Sequence, residues 1–328
     1  MPPRILFFAD AGEAVGGGHM MRSLTLAEAL IERGAACSFV ATPAVSDLLD
    51  TFAGPKVQRV IALSDGARWR PNMLVIDHYG VGAAHERALA GSAKLAVIDD
   101  LARKHAVDMI IDPSLGRSAT DYAGQGATTV LAGPTYALVR PAFAAAREAA
   151  LARRGGEPRR CLVSLGLTDI DGITGRIVEL LLQRSGDMAL DVVVGSAAPS
   201  LPALQDLAGK GRISLHVDAK DMAELVANAD IAVGAGGSSV WERATLGLPT
   251  ILLVLVENQA DMAGQLQSAG LALVLDPAGR RFETQLADAW RRLTGSADLR
   301  RELSERPAAL CDGLGAGRVA DAILAMLE

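Results

Sequence analysis

The stretch Arg4-Ile5-Leu6-Phe7-Phe8-Ala9-Asp10, followed by Gly16-Gly17-Gly18-His19, decides the fold class. Its apolar run is typical of a short buried strand, and the apolar spacing over residues 24–31 predicts a helix after His19. Between them, residues 11–18 form a glycine-rich turn. A strand, glycines and a helix N-terminus together make a cradle for an anion, because glycine lets the backbone approach closely and the free N–H groups favour negative charge.

His19 stands at the edge of this predicted cradle. Imidazole is the side chain best suited to moving a proton at neutral pH, so His19 is a candidate for proton transfer. A histidine at a helix start can also simply cap the helix, and glycine-rich turns follow first strands in many α/β domains that bind nothing there. The Rossmann glycine spacing is absent.

Composition narrows the class of protein. The chain has 328 residues, enough for two domains, and 50% of them are hydrophobic, with few aromatics. The net charge is -6, and the sequence contains no long basic block, which argues against nucleic acid as the main partner. No basic membrane-binding helix or membrane-length apolar stretch is evident, so no membrane partner is expected.

The cysteines and the N-terminus predict a cytoplasmic location. Cys37, Cys161 and Cys311 are far apart and lack paired spacing, as expected of buried thiols in a reducing compartment. The apolar run from Ile5 is short and is interrupted by Asp10, so it lacks the pattern of a secretory signal.

Strands and helices alternate along the chain, which predicts parallel sheets. Further strands are expected at residues 36–40, 57–63, 73–77, 95–100, 109–113, 129–131, 161–166, 190–194, 213–217, 231–233 and 248–256. The best linker is Gly155-Gly156-Glu157-Pro158. We therefore predict an N-terminal domain over 1–150 and a C-terminal domain over 158–328, whose last helix could pack on either domain.

A second glycine-rich stretch follows the strand predicted at 231–233. Its backbone N–H groups and hydroxyls suit a diphosphate, and a carboxylate on the next helical turn suits two ribose hydroxyls; ordinary capping by serine is the alternative. The residues concerned are Gly236, Gly237, Ser238, Ser239 and Glu242. No P-loop lysine follows them.

Polar residues follow two other strands. Asn258 and Gln259 suit sugar hydroxyls or acetamido groups, although Asn258 can also cap a helix. Tyr79 can stack on or hydrogen-bond a ligand, and Asp77 could be only a strand-end cap. Asp169 and Asp171 resemble a metal-binding pair but fit helix capping better; no cluster has convincing metal spacing, so neither a metal nor a cofactor is expected.

Several motifs, in order over residues 4–266, resemble one family: the nucleotide-sugar hydrolase of pseudaminic acid biosynthesis, related to the peptidoglycan glycosyltransferase fold. The matching stretches are Gly16-Gly-Gly-His19-x-x-Arg22, Ile76-Asp-His-Tyr79, Gly133-Pro-x-Tyr-Ala-Leu-x-Arg140-Pro, Gly234-Ala-Gly-Gly-Ser238 with Trp241-Glu-Arg243, and Glu257-Asn-Gln259. The resemblance implies the GT-B fold: two Rossmann-like α/β domains with parallel sheets and the ligand in an interdomain cleft.

The resemblance also implies an activity: metal-independent hydrolysis of UDP-2,4-diacetamido-2,4,6-trideoxy-β-L-altropyranose to UDP and free sugar. It makes His19 the catalytic residue. Glu242 lies on the nucleotide-binding helix, and Tyr79 and Asn258 lie at the sugar site. We add Gly166 to the expected nucleotide site, and Gly16, Gly17, Gly18 and Gln259 to the sugar site. Leu167 stands where a second glycine is expected, which puts the shape of that loop in question.

Other functions remain open at this stage. A GT-B glycosyltransferase would need the same base but a hydroxyl acceptor in place of water, and a sugar-nucleotide-binding accessory protein would need no base. Arg22 could fix the helix, contact an anion or be a solvated helix residue.

Overall fold

The computed structural model describes residues 1–12, 16–60, 62 and 69–328. They divide into two compact units. Unit 1 comprises Met1–Arg140 with Gly313–Glu328, and unit 2 comprises Pro141–Asp312.

Unit 1 is built on a seven-stranded parallel sheet of order β3-β2-β1-β4-β5-β6-β7. Alternate side chains of β1 enter different clusters: Ile5 and Phe7 join one buried core and Leu6 joins another, so the sheet is covered on both faces. The strands are β1 (Arg4–Ala9), β2 (Ala36–Val40), β3 (Gln58–Val60), β4 (Met73–Asp77), β5 (Lys94–Ile98), β6 (Met109–Asp112) and β7 (Thr129–Ala132).

Four α-helices are described in unit 1: α1 (Gly18–Glu32), α2 (Pro43–Phe52), α3 (Ala83–Ala90) and, from the far end of the chain, α12 (Gly315–Leu327). Parts of two predicted segments, residues 13–15 of the glycine-rich turn and residues 61 and 63 of the third strand, lie outside the described residues.

Unit 2 repeats the architecture with a six-stranded parallel sheet of order β10-β9-β8-β11-β12-β13. The strands are β8 (Arg160–Ser164), β9 (Ala189–Val194), β10 (Ser214–Val217), β11 (Ile231–Ala235), β12 (Thr250–Leu253) and β13 (Leu273–Leu275). The α-helices are α4 (Pro141–Ala152), α5 (Ile173–Leu182), α6 (Leu201–Gly209), α7 (Met222–Asn228), α8 (Ser239–Thr245), α9 (Ala260–Ser268), α10 (Phe282–Gly295) and α11 (Ala297–Leu310).

The division between the units falls before α4 rather than at the linker expected near residue 155, which alters the predicted domains 1–150 and 158–328. Two arginines, one within α4 and one just after it, hold this segment in unit 2. Arg147 donates to the carbonyl oxygens of Ala308 (2.7 Å) and Cys311 (3.1 Å), and Arg154 donates to that of Leu246 (2.9 Å). These bonds satisfy carbonyls at helix ends, which have no partner within their own helix.

Helix α12 belongs to unit 1, because its apolar face completes that unit's core. Val319 and Ile323 are fully buried in the cluster that contains Phe7. A Cβ on Gly315, the first residue of α12, would lie 2.3 Å from the Ala137 carbonyl oxygen. Only glycine therefore allows the start of the helix to approach the backbone of residue 137 this closely.

Both sheets reverse their strand order once, between β1 and β4 in unit 1 and between β8 and β11 in unit 2. In open α/β sheets, ligands bind beyond the carboxyl ends of the strands at this reversal. The segments found there are Gly16–His19 and Asp77–Tyr79 in unit 1, and Gly166 and Gly236–Ser239 in unit 2.

Candidate functional site

His19 is the second residue of α1, and it is buried. Its Nδ1 lies 2.6 Å from Oδ1 of Asp77, the last residue of β4, which is paired in parallel register with Ala9 at the end of β1. A carboxylate can only accept, so Nδ1–H donates and Nε2 is left as the unprotonated nitrogen of the neutral ring. The arrangement is that of a histidine base oriented by an aspartate.

Arg22 lies one turn after His19 on the same face of α1. Its Nε donates to Asp77 Oδ2 (2.8 Å), its Nη2 to Asp77 Oδ1 (2.6 Å), and its Nη1 to Asp100 Oδ2 (2.7 Å). Only 6% of Arg22 is exposed, so its interpretation as a solvated helix residue is wrong.

The charge on Asp77 is held firmly. Burial disfavours its ionised form, but the Arg22 guanidinium and the His19 ring outweigh this and hold the pKa of the carboxyl well below its usual range. Ser23 adds a hydroxyl donor at 3.2 Å. Asp77 therefore remains an acceptor for His19 throughout the neutral range, and it does much more than cap its strand.

Tyr79 and Asp100 close this arrangement into a ring of side chains. The Tyr79 hydroxyl donates to Asp100 Oδ1 (2.7 Å), and the Tyr79 ring meets the His19 ring edge-on, with centroids 4.4 Å apart. Burial and the Asp100 carboxylate raise the pKa of Tyr79, so its hydroxyl stays protonated. We call His19, Asp77, Arg22, Asp100 and Tyr79 the His19 cluster.

The glycines before His19 shape the start of α1. Gly16 has a φ of +69°, in the left-handed region, and its N–H donates to the Gly12 carbonyl (2.8 Å). Gly17 is the N-cap residue, and Gly18 is the exposed first residue of the helix. The structure thus brings the predicted glycines, His19 and Tyr79 to one edge of the sheet in unit 1.

In unit 2 the loop between β11 and α8 packs against Gln259. A Cβ on Gly236 would lie 3.2 Å from Gln259 Cβ and Oε1, so glycine is what permits this approach. Gln259 Oε1 accepts from the Leu255 N–H (3.1 Å), which fixes its side chain across the loop. The structure therefore brings together two residues predicted from separate motifs. Asn258, beside Gln259, is exposed.

A buried arginine supports the same loop from within unit 2. Arg243 donates to the Ala235 carbonyl (2.7 Å) and to Ser239 Oγ (3.0 Å). Burial lowers its pKa to about 10, which the neighbouring Glu242 opposes. Ser239 thus braces the loop, Ser238 precedes α8 as its N-cap residue, and Glu242 lies in the first turn.

Gly166 is exposed just beyond β8, the strand that pairs with β11. The Leu167 carbonyl accepts from the Gly195 N–H (3.1 Å), and a Cβ on Gly195 would lie 2.4 Å from that oxygen. Asp169 accepts from the backbone N–H groups of Thr174 (2.8 Å) and Ser200 (3.0 Å), so its carboxylate binds the backbone at the starts of α5 and α6.

The sequence motifs did not single out Asp100 of the His19 cluster, and they did not pair Asp77 with His19. Both lie where strands β4 and β5 end, and a signal was present in the repeated aspartates at predicted strand ends. Among the described residues, no group of three or more His, Cys, Asp or Glu side chains could hold a metal ion. Within the same residues no helix is long and apolar enough to span a membrane.

Comparison with known proteins gives three kinds of match. The Glycosyltransferase family 28 C-terminal domain matches residues 178–306. The chain is 28% identical over 324 residues, 95% of either chain, to the spore coat polysaccharide biosynthesis protein SpsG of Bacillus subtilis. It is also 26% identical over 279 residues to the UDP-2,4-diacetamido-2,4,6-trideoxy-beta-L-altropyranose hydrolase of Campylobacter jejuni, covering 81% of this chain and 97% of that one.

Solved structures match over the whole chain. Acinetobacter baumannii MurG aligns with a TM-score of 0.65 at 16% identity, over 99% of this chain and 100% of that one. The Staphylococcus aureus MnaA-UDP co-structure aligns with a TM-score of 0.67 at 15% identity, over 99% and 97%. The chain has the GT-B fold. The expected fold class, two α/β domains with parallel sheets, is confirmed.

Proposed function

We propose that the protein hydrolyses a UDP-diacetamido-trideoxy-hexose at its anomeric carbon, releasing UDP and the free sugar for pseudaminic acid biosynthesis. The observation that carries the proposal is the pair His19–Asp77, joined at 2.6 Å, which leaves His19 Nε2 as a base. A hydrolase needs such a base, whereas a protein that only binds sugar nucleotides does not.

In the proposed reaction, His19 Nε2 takes a proton from a water molecule as the water oxygen attacks the anomeric carbon. The bond between that carbon and the diphosphate oxygen breaks, and its electron pair leaves with UDP. The imidazolium that forms is stabilised by the charged Asp77. Arg22 keeps Asp77 ionised and immobile, since it holds both carboxylate oxygens.

The substrate is assigned to two sets of residues, one for the nucleotide and one for the sugar. Backbone N–H groups and hydroxyls of the β11–α8 loop would receive the diphosphate, and the Glu242 carboxylate the ribose. The proposed nucleotide residues are Gly166, Gly236, Gly237, Ser238, Ser239 and Glu242, and the proposed sugar residues are Gly16, Gly17, Gly18, Tyr79, Asn258 and Gln259. The C. jejuni relative, whose name specifies this reaction, supports the substrate class.

The test is UDP release from the altro-configured UDP-diacetamido sugar with no acceptor present. Wild type is expected to release UDP, and His19→Ala to lose roughly 10²- to 10⁴-fold in kcat. His85→Ala is the matched control, because His85 is exposed on α3 and is not part of the His19 cluster. Equal rates for wild type and His19→Ala would remove His19 from the chemistry.

A glycosyltransferase is the second candidate, favoured by the match of residues 178–306 to the glycosyltransferase C-terminal domain. It predicts UDP release that depends on an added hydroxyl acceptor, with the same loss in His19→Ala. Tight binding of the UDP-sugar without turnover, in water and with acceptors alike, would instead indicate a binding protein of the same fold.

A further inference from the structure

Besides the His19 cluster, unit 1 contains a second buried polar cluster that supplies no group to the proposed reaction. It joins α3 to the loop that follows β5. We call its members Glu86, Asp99, Arg103 and His105 the Arg103 network. Arg103 extends this network to the backbone of the segment that carries Tyr79.

Arg103 makes two kinds of contact at once. Its Nε donates to Asp99 Oδ1 (2.8 Å), and its backbone N–H donates to Asp99 Oδ2 (2.9 Å). Its Nη1 donates to the carbonyl oxygens of Tyr79 (3.0 Å) and Val81 (3.1 Å), and its guanidinium carbon lies 5.4 Å from the centroid of the Tyr79 ring. One planar side chain thus connects a buried carboxylate to both the backbone and the ring of Tyr79.

Asp99 is itself held in place from the interior. It is fully buried, and it receives the Tyr122 hydroxyl (3.2 Å) and lies 3.5 Å from His105 Nε2. His105 Nδ1 lies 2.6 Å from Glu86 Oε1, and Glu86 Oε2 accepts the Ala106 N–H (2.6 Å). A carboxylate lies near each ring nitrogen of His105, and the two carboxylates favour the protonated, cationic form of that ring.

Such a cluster is expensive to bury. Well-packed apolar side chains would commonly serve stability as well or better, since each buried charge loses its hydration. What an apolar cluster could not do is hold the carbonyls of residues 79 and 81 by directed hydrogen bonds. The directed hydrogen bonds of the Arg103 network therefore indicate that the orientation of the Tyr79 turn is important for function.

Tyr79 contacts both the Arg103 network and the other residues of the His19 cluster. From there its hydroxyl reaches Asp100 and its ring meets His19 edge-on. A rotation of the Tyr79 turn would loosen both contacts and change the packing around the base. Displacements of about 1 Å near a reacting group can cost about 10²-fold in rate.

We propose that Arg103 is a positioning residue, which holds Tyr79 against His19 and Asp100 and is itself oriented by Asp99, His105 and Glu86. The inference rests on the proposed function, because it gives Tyr79 and His19 their task. It adds residues that touch neither the substrate nor the reacting atoms.

The kinetic test compares Arg103→Gln, Arg103→Lys and a matched control, Arg87→Gln. Arg87 forms an ion pair with Asp108 (2.8 Å) in the same unit and is half exposed. We expect Arg103→Gln to lower kcat by roughly 10- to 100-fold while the Kd for UDP stays within about twofold of wild type. Arg103→Lys retains charge but not the planar fork, so its loss should be intermediate. Arg87→Gln should behave as wild type.

A second readout needs no turnover. Because the two ring centroids are 4.4 Å apart, the Tyr79 ring should shift the NMR resonances of the His19 imidazole protons, which are assigned by their loss in His19→Gln. Arg103→Gln and Arg103→Lys should move these resonances towards their positions in Tyr79→Leu, and Arg87→Gln should leave them in place. If wild type does not release UDP, the proposed function fails, and this spectrum still decides the role of Arg103.

Two results would overturn the proposal. One is an unchanged kcat per folded molecule in both Arg103 variants. The other is a set of His19 resonances that match wild type while only the melting temperature falls, which would make Arg103 a stabilising residue without a positioning role.

Discussion

The two units place different chemistry at the same topological position. In unit 1, the reversal between β1 and β4 holds an imidazole, two carboxylates, a guanidinium and a phenol that contact one another directly. In unit 2, the reversal between β8 and β11 holds glycines, hydroxyls and an amide, with the buried Arg243 behind them. The first arrangement suits proton transfer, and the second suits the close approach of a ligand to the backbone.

Equal topology thus decides where a site lies but leaves its task to the residues that occupy it. If the division of labour is correct, changes in unit 1 should affect the rate of bond breaking. Changes in unit 2 should affect nucleotide affinity.

The largest effect is expected from Asp77→Asn. The amide lacks the negative charge that stabilises imidazolium and can hold His19 in the wrong tautomer, so kcat should fall roughly 10²- to 10⁴-fold. The free energy of unfolding should also fall, by about 3 kcal/mol, because Arg22 keeps its buried charge and loses a partner. Steady-state kinetics and urea denaturation measure the two effects.

A wild-type kcat in Asp77→Asn would break the comparison, because His19 would then need no orienting carboxylate. Asp321→Asn is the control: this residue forms an ion pair with Arg33 in the same unit, but at the surface on α12. Exposed pairs contribute about 1 kcal/mol or less, so this variant should retain both activity and stability.

A smaller effect is expected from Gly236→Ala in unit 2. The new Cβ would press on Gln259 at 3.2 Å, whereas a Cβ at Gly237 would meet Gln259 Nε2 only at 3.9 Å. Gly236→Ala should therefore cost about 1 kcal/mol in stability and raise the Kd for UDP about tenfold. Titration calorimetry should show a clearly smaller change for Gly237→Ala.

Neither glycine variant should alter the His19 ring resonances. If Gly236→Ala changed kcat but not the UDP affinity, the assignment of nucleotide binding to this loop would be wrong.

The smallest effect concerns pH and belongs to unit 1. Burial opposes the charge on His105, but Asp99 and Glu86 outweigh it and raise the pKa of His105 to about 9. A raised pKa in the folded state stabilises the protein fully below the unfolded value of about 6.5, and that contribution is lost as the pH rises to about 9. Denaturation curves over this range should show stability falling with pH.

His105→Gln should lack this part of the pH dependence, and it should be less stable than wild type at pH 6. Identical pH profiles for the two proteins would show that His105 is not protonated in the folded state. The sharp contrast drawn between a charged unit 1 and a neutral loop in unit 2 would then be weaker.

Much of the fold was predictable from local patterns. The apolar run of β1, the glycines and the spacing in α1 are adjacent in the sequence, so periodicity and turn chemistry identify them without tertiary information. The same applies to the glycine-rich loop after β11. The predicted strand over residues 248–256 is shorter in the structure, Thr250–Leu253, because Glu257–Gln259 forms a 3₁₀ turn and the chain leaves the sheet before it.

The contacts of His19 were not predictable in this way. Asp77 and Asp100 are distant from it in sequence, and their approach depends on which strands neighbour β1 and in what register. Arg22 appeared equally suited to solvent, because one helix position does not reveal what will be packed against it. The places of α4 and α12 were missed or left open for the same reason: buried arginines and a close glycine contact decide them.

Helix α12 also bears on how the protein is made. Unit 2 is an insertion within unit 1, since the chain enters it at Pro141 and leaves it at Asp312. Domains usually fold in the order of their synthesis. Here the ribosome completes all of unit 2 before it adds Val319 and Ile323, which fill the core of unit 1. The unit that begins the chain therefore becomes complete last, and until α12 is made, the part of its core that these two side chains fill stays open.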